Sequence, residues 1–369
     1  MLNQRIKDQL QQRSETGLLR KLVSNQGIDF WSNDYLGFAR NPLVISDEIQ
    51  SGSTGSRLIS GNYSQIQELE QQLATFFDGE GALVFNSGFD ANIGLLSSLP
   101  QKHDLILYDE HIHASVRDGI RLSNAKNHSF KHNDVADLED KLSRLNPAGG
   151  VAFVCVETLY SMGGDFCPLL SIIEVCEKYN AYLIVDEAHA GGLYGSNGEG
   201  FAMAVNLHQR IFARVYTFGK AFGCHGAVIV GSDLLKQFLI NFARSFIYTT
   251  AIAPYTVHHI TQNIRRTDLD ACRFKLFENI SYFRKKLDEY ELFSHSEINS
   301  PIQMLKVQDA SQAHELATLL KQQDILVKAI VPPTVKSGDE SIRVCLHAFN
   351  TKQEIDELLD ITATVLIKG

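Results

Sequence analysis

The sequence predicts an α/β fold, a mostly parallel central sheet flanked by helices, with a smaller α+β C-terminal domain. Three observations predict it. The runs Val151–Val156 (VAFVCV) and Ala181–Val185 (AYLIV) are wholly apolar and of strand length, as strands covered on both faces must be. Stretches of helical periodicity separate these short apolar runs, which is the βαβ pattern. After about residue 268 the texture changes to strands mixed with helices.

The elements follow in order. Within residues 2–22, Leu2, Ile6 and Leu10 share one helical stripe, so residues 1–40 read as an N-terminal arm that opens on an amphipathic helix. The arm contains Phe30–Phe38 (FWSNDYLGF), and a Gly/Ser-rich loop, Ser51–Gly61, follows it. Helical periodicity over Ile66–Phe77 leads into a strand, Ala82–Phe85, broken by Ser87-Gly88; another helix precedes the strand Leu105–Tyr108. Between the two apolar strands, Ser171-Ile-Ile-Glu174 has the form of a capping box opening a helix through Tyr179. Val215–Phe218 and Ala227–Val230 complete the strands, and helices from about Asp233 to Arg266 close a large domain over 41–268. Residues 269–369 then give a long charged helix (Phe274–Tyr290), strands at Pro301–Val307, Ile325–Val331 and Ser341–Leu346, and a last helix opened by the box Thr351–Glu354.

Composition narrows the function. Of 369 residues 44% are hydrophobic, enough for a sizeable core, so disorder is excluded as the main state. The 34 basic and 43 acidic residues leave a net charge of −9, which argues against wrapping a polyanion but leaves room for a local phosphate pocket. Six cysteines form no CxxC pair and read as reduced thiols. The first residues lack an apolar signal core and carry Asp8 and Glu15, and no run is long enough to span a bilayer; a cytoplasmic protein is expected.

Five segments carry candidate chemistry. In Val185-Asp-Glu-Ala-His-Ala-Gly-Gly, Asp186 ends a buried strand with His189 three residues on, where open α/β sheets bind ligands. A helix cap and a loop histidine fit the same letters, but the repeated glycines tilt the reading toward a site. In Tyr216-Thr-Phe-Gly-Lys-Ala-Phe-Gly, Lys220 lies among Phe218 and Phe222; burial lowers a lysine pKa and makes the amine nucleophilic, although a lone lysine on a glycine loop is more often solvated. No P-loop pattern surrounds it. Asn86-Ser-Gly-Phe-Asp-Ala-Asn92 is a strand-to-helix turn whose free amides suit a phosphate. His111 and His113, with Asp109, have a metal-like spacing, but no further His/Cys spacing completes a set and no metal is expected. Arg343, in Ile342-Arg-Val-Cys-Leu-His347, suits either a surface ion pair or a two-pronged grip on a small carboxylate.

Together these segments resemble the α-oxoamine synthases, a branch of the fold-type I pyridoxal phosphate (PLP) enzymes. The likeness runs from about Leu18 to the end and is carried by SNDYLGF, GSRLISG, NSGFDAN, HIHAS, ETLYSMGGD, VDEAHAGGLYGSNGEG, TFGKAFG and IYTT. The resemblance implies a PLP cofactor in Schiff-base linkage to Lys220, Asp186 at the pyridine nitrogen and His113 stacked on the ring. It further implies Ser161 and His189 at the 3′-oxygen, and the phosphate on Gly88 and Phe89 with Thr217 and, across a homodimer interface, Thr250. Arg20, Asn33, Arg343 and His347 match substrate-facing positions. The implied reaction is decarboxylative condensation of an amino acid, L-alanine, with a pimeloyl thioester on coenzyme A or acyl carrier protein, as in biotin biosynthesis; no nucleic acid or membrane partner is implied.

Two positions depart from the family's pattern. Ile66 stands where relatives often carry histidine, and His347 where a close relative has a substrate-facing threonine; both bear on acyl preference more than on the core chemistry. The alternatives are another α-oxoamine synthase using glycine or serine, a PLP aminotransferase, and a metal hydrolase built on His111, His113, Asp186 and His189. A non-catalytic binding module fits least, because a buried lysine beside a buried acid costs stability without a chemical use.

Overall fold

The computed structural model describes residues 1–15, 18–22, 26–43, 49–145, 147 and 149–368. Its centre is a seven-stranded sheet in the order Gly81–Phe85, Ala227–Gly231, Ala213–Thr217, Ala181–Asp186, Ala152–Glu157, Leu105–Asp109, Lys126–Phe130. Ala227–Gly231 runs antiparallel to both neighbours, and every other pairing is parallel. Side chains alternate across the sheet: Phe153, Cys155 and Ile184 pack on one face with Leu95, Val116 and Leu239 of three helices. Val154, Val156, Leu183 and Val185 pack on the other with Leu138, Leu142, Ile172 and Ile173. Both faces are therefore apolar, which is why these strands read as continuous hydrophobic runs. The parallel strands end together at one edge, with Asp109, Glu157, Asp186 and Thr217 as their last residues.

The C-terminal part is a three-stranded antiparallel sheet, with Ser341–Cys345 between Lys328–Ile330 and Ile302–Lys306. Helices Leu269–Glu289, Ala310–Gln322 and Lys352–Lys368 belong to the same unit. Phe30, Tyr35, Leu36 and Phe38, read from sequence as the end of an arm, belong to this unit's core, and Ile28–Asp29 pairs in parallel with Ile325–Leu326.

Several local expectations change. The helix read from a box at Ser171 instead starts at Leu169, because Pro168 takes the N-cap position with φ −74°, and no side chain caps it. The box at Thr351–Glu354 forms as read: the Thr351 amide donates to Glu354 Oε2 (2.8 Å) and the Glu354 amide to Thr351 Oγ1 (3.2 Å). Lys126–Phe130 is a strand the sequence did not announce, being an edge strand with four of five residues exposed. Helix Leu2–Glu15 forms, with Leu2, Ile6 and Leu10 all exposed.

Candidate active site

The site forms where the parallel strands end. Lys220 lies in a tight loop after Ala213–Thr217, in which the Gly223 amide donates to the Lys220 carbonyl (2.8 Å) and the Cys224 amide to the Phe218 carbonyl (2.7 Å). Gly223 is required there: at φ +61° its α-carbon lies so close to Ala39 that a Cβ would sit 2.6 Å from the Phe38 carbonyl carbon. Phe218, Ala221 and Phe222 are buried around the lysine. This burial pushes the Lys220 ammonium down to about 8, against the opposing pull of Asp186 and Glu157.

Asp186 is held as a carboxylate acceptor. Its Oδ2 accepts from Asn92 Nδ2 (2.9 Å) and its Oδ1 from the Ala188 amide (2.9 Å). Asn92 spends its second N–H on Ser115 Oγ (2.9 Å), which lies 2.7 Å from His113 Nδ1. Asn92 thus links the acid to the histidine. His113 caps helix Ala114–Leu122, its Nδ1 accepting from the Ser115 amide (3.2 Å). Burial, together with Lys220 and against Asp186, keeps His113 below the usual histidine range.

The turn at Ser87 supplies the opposite end. Ser87 caps helix Gly88–Ser98 by accepting from the Asp90 amide (3.1 Å), so the amides of Gly88 and Phe89 begin the helix without intrahelical partners. Thr217 faces this turn: a Cβ on Gly88 would lie 3.8 Å from its Oγ1. Asn86 Nδ2 donates to the Thr250 carbonyl (2.8 Å), which fixes the segment carrying the exposed Thr250 beside the same turn. Phe89 is exposed.

A cation from the smaller unit reaches this edge. Arg343 Nε donates to the Ser161 carbonyl (2.9 Å) and Nη2 to Asn33 Oδ1 (3.1 Å), which brings three distant segments together. The Ser161 amide donates to Glu157 Oε2 (3.3 Å). Glu157 is 2% exposed, and its Oε1 has no partner; burial and the nearby Asp186 charge raise its pKa to about 8. His189 is buried, with Nδ1 2.7 Å from the Tyr35 hydroxyl.

Two of the expected substrate positions differ in exposure. His347 does not face an open substrate space: it is wholly buried, with Nδ1 3.0 Å from Asn350 Oδ1 and Nε2 3.1 Å from the Ser32 carbonyl. Both ring nitrogens are occupied, so its contact is with the turn that carries Asn33. Arg20 is exposed, and Ile66 is buried in the cluster that holds Phe218 and Phe222. Among the described residues no group of three His, Cys, Asp or Glu side chains is placed to hold a metal ion. A cleft of about 370 Å³ beside Arg57 and Lys236 shares none of these residues, and Arg57 is already paired with Glu70 (2.8 Å).

The sequence reading missed Asn92, Ser115, Tyr35 and Glu157 as individual residues. Glu157 had a signal: like Asp186, it is an acid closing a fully apolar strand. The donor set fits PLP. An amine of lowered pKa, a braced carboxylate, an unprotonated ring and free helix-start amides meet at one sheet edge, beside an orphaned buried carboxylate oxygen.

Comparison with known proteins agrees. Residues 25–361 match the aminotransferase class I and II family. The chain is 38% identical to an 8-amino-7-oxononanoate synthase of Emericella nidulans, over 99% of this chain and 96% of that one. It is 35% identical to the enzyme of that name from Lysinibacillus sphaericus, over 97% of each. A solved serine palmitoyltransferase carrying PLP superposes with a TM-score of 0.90 at 29% identity, covering 98% of this chain and 96% of that one. The 8-amino-7-oxononanoate synthase of Francisella tularensis does so with a TM-score of 0.78 at 30% identity, covering 94% and 99%. The chain belongs to the aminotransferase class I and II family and, within it, to the α-oxoamine synthase branch of the fold-type I PLP enzymes.

Proposed function

We propose that this PLP-dependent acyltransferase is an 8-amino-7-oxononanoate synthase, joining L-alanine to a pimeloyl thioester with loss of carbon dioxide, a step of biotin synthesis. The observation that carries the reading is the meeting of Lys220, Asp186 and Arg343 at one sheet edge, in a chain alike from end to end to relatives of that name. PLP, when bound, supplies an aldehyde for Schiff-base linkage and a protonated ring that accepts the electron pair left at the α-carbon.

The chain's residues do the rest. Lys220 Nζ would hold the cofactor and, as a neutral amine, would serve as the general base that takes the substrate α-proton and returns it. At a pKa of about 8, roughly one such amine in ten is free at pH 7, which a solvated lysine does not approach. Asp186 would hold the pyridine nitrogen and favour its protonation; its bonds from Asn92 and Ala188 fix its direction. His113 would cover the ring, and Ser161 and His189 would contact the 3′-oxygen. The Gly88 and Phe89 amides would hold the phosphate with Thr217 and, from a second copy, Thr250. Arg343 and Asn33 grip the substrate carboxylate, with Arg20 as a further contact and His347 acting through the Ser32–Asn33 turn.

The same reading gives a large cofactor-binding part over 41–268 and a small part over 269–369, with substrate between them. A cytoplasmic homodimer fits: Leu2, Ile6, Leu10, Phe89 and Tyr248 are exposed apolar side chains, and no helix among the described residues is long and apolar enough to cross a membrane. The superposition on serine palmitoyltransferase favours, as a second reading, an α-oxoamine synthase that uses serine or glycine and another acyl thioester.

A substrate panel decides between them. Alanine, glycine and serine are each offered with pimeloyl, acetyl and palmitoyl thioesters of coenzyme A and acyl carrier protein, and carbon dioxide release is measured. Release only with alanine and pimeloyl supports the first reading; release with serine and palmitoyl, or with glycine, replaces it with the second.

A further inference from the structure

We infer that Tyr35 is a positioning residue that fixes the tautomer of His189, holding its Nδ1 as an acceptor so that Nε2 carries the proton as a donor. The contact is short, 2.7 Å between the Tyr35 hydroxyl and His189 Nδ1, and both side chains are buried. A contact of this kind has two senses: either the phenol donates to an unprotonated Nδ1, or an Nδ1–H donates to the phenol oxygen.

The surroundings choose the first. For the second sense, the Tyr35 proton would need another acceptor, and the one at hand is Asn33 Oδ1 at 3.3 Å. That is longer than an O–H···O bond prefers, and the same oxygen already accepts from Arg343 Nη2 at 3.1 Å. The Arg343 guanidinium is a charged neighbour of the Tyr35 hydroxyl, and its positive charge favours the phenol oxygen facing it with the proton turned away. The phenol is left with one good use for its proton, which is His189 Nδ1. An imidazolium at His189 is opposed by burial first, then by Lys220, Arg343 and His113, while burial holds the Tyr35 proton in place. Among the described residues no hydrogen bond engages His189 Nε2, so this N–H is available to an acceptor.

Resting on the reading of His189 at the cofactor's 3′-oxygen, this makes Tyr35 the group that turns the histidine into a donor rather than a competing acceptor. It also sets the cofactor contact beside the carboxylate grip: the Tyr35 hydroxyl lies 2.7 Å from His189 Nδ1 and 3.3 Å from Asn33 Oδ1, the oxygen that Arg343 Nη2 reaches.

The test uses the full chain with 15N-labelled histidine, the His189 signal being identified by its loss in His189→Gln. In the cofactor-free wild type, His189 Nδ1 is expected unprotonated and Nε2 protonated; in Tyr35→Phe the Nδ1–H form should appear. In the PLP-loaded proteins, the pH midpoint of the visible absorbance change should rise by about one unit in Tyr35→Phe, as loss of one hydrogen bond to a charged oxygen implies. An Nδ1-protonated His189 in the wild type, or an unchanged tautomer in Tyr35→Phe, overturns the inference. A wild type that takes up no PLP would sink the functional reading, and the nitrogen spectra of cofactor-free protein would still decide Tyr35.

Discussion

Replacing His132 with glutamine removes a cation held between two carboxylates, and its cost should depend on pH in a defined sense. His132 Nδ1 lies 2.9 Å from Asp109 Oδ1, and Nε2 lies 2.7 Å from Asp165 Oδ2. Burial disfavours the imidazolium, but the two acids outweigh it and raise the pKa from 6.5 to about 10. A folded-state pKa above the unfolded one stabilises fully below about 6.5, and that stabilisation is lost as pH rises through about 10. A shift from 6.5 to about 10 corresponds to a ceiling of ~5 kcal/mol, and screening at a side chain 20% exposed reduces this to ~2 kcal/mol. Asp109 ends the strand before the His113 turn and Asp165 follows Ser161 by four residues, so the clamp ties two site segments together. Urea denaturation of wild type and His132→Gln at pH 6 and pH 10 measures it. The stability gap should be larger at pH 6 by ~2 kcal/mol, whereas an equal gap, or a larger one at pH 10, refutes the charged clamp.

Three further outcomes follow from the same geometry. Asp186→Asn keeps the side-chain shape but removes the charge, so kcat should fall by about a hundredfold or more while the Kd for PLP changes only a few-fold; equal turnover would remove Asp186 from its role. Arg343→Lys cannot reproduce the fork to Ser161 and Asn33, so the KM for the amino acid should rise about tenfold with a smaller change in kcat; a KM unchanged from wild type would contradict the carboxylate grip. In cofactor-free protein, reductive methylation of Lys220 followed by peptide mass should be half-maximal near pH 8, since half of the amine is unprotonated at its pKa; a midpoint near that of a solvated lysine would contradict the desolvated pocket.

What was legible in the sequence was whatever burial on both sides of an element made apolar. The runs around Cys155 and Ile184 could be read because each face of the sheet meets a helix layer, and Asp186 and Glu157 interrupt those runs where the strands reach the site. Lys126–Phe130 could not, because an edge strand with exposed side chains needs no apolar pattern. Ser171 misled because a capping box is a local signal, and Pro168, immediately before Leu169, set the start instead. Lys220, Asp186, His113 and Arg343 stood out by residue type, spacing and resemblance. Asn92, Ser115 and Tyr35 did not, since a helical asparagine or a buried tyrosine becomes part of a site only through partners distant in sequence: Asn92 meets Asp186 across 94 positions and Tyr35 meets His189 across 154. His347 shows the converse, a polar residue near Arg343 in sequence whose ring is taken up by Ser32 and Asn350.

The most direct measurement is reduction of the PLP-loaded protein with borohydride, then digestion and mass mapping of the pyridoxyl group. The account predicts one modified residue, Lys220, with loss of the visible band. A pyridoxyl group on another lysine, or a protein that takes up PLP without forming a reducible bond, would contradict it.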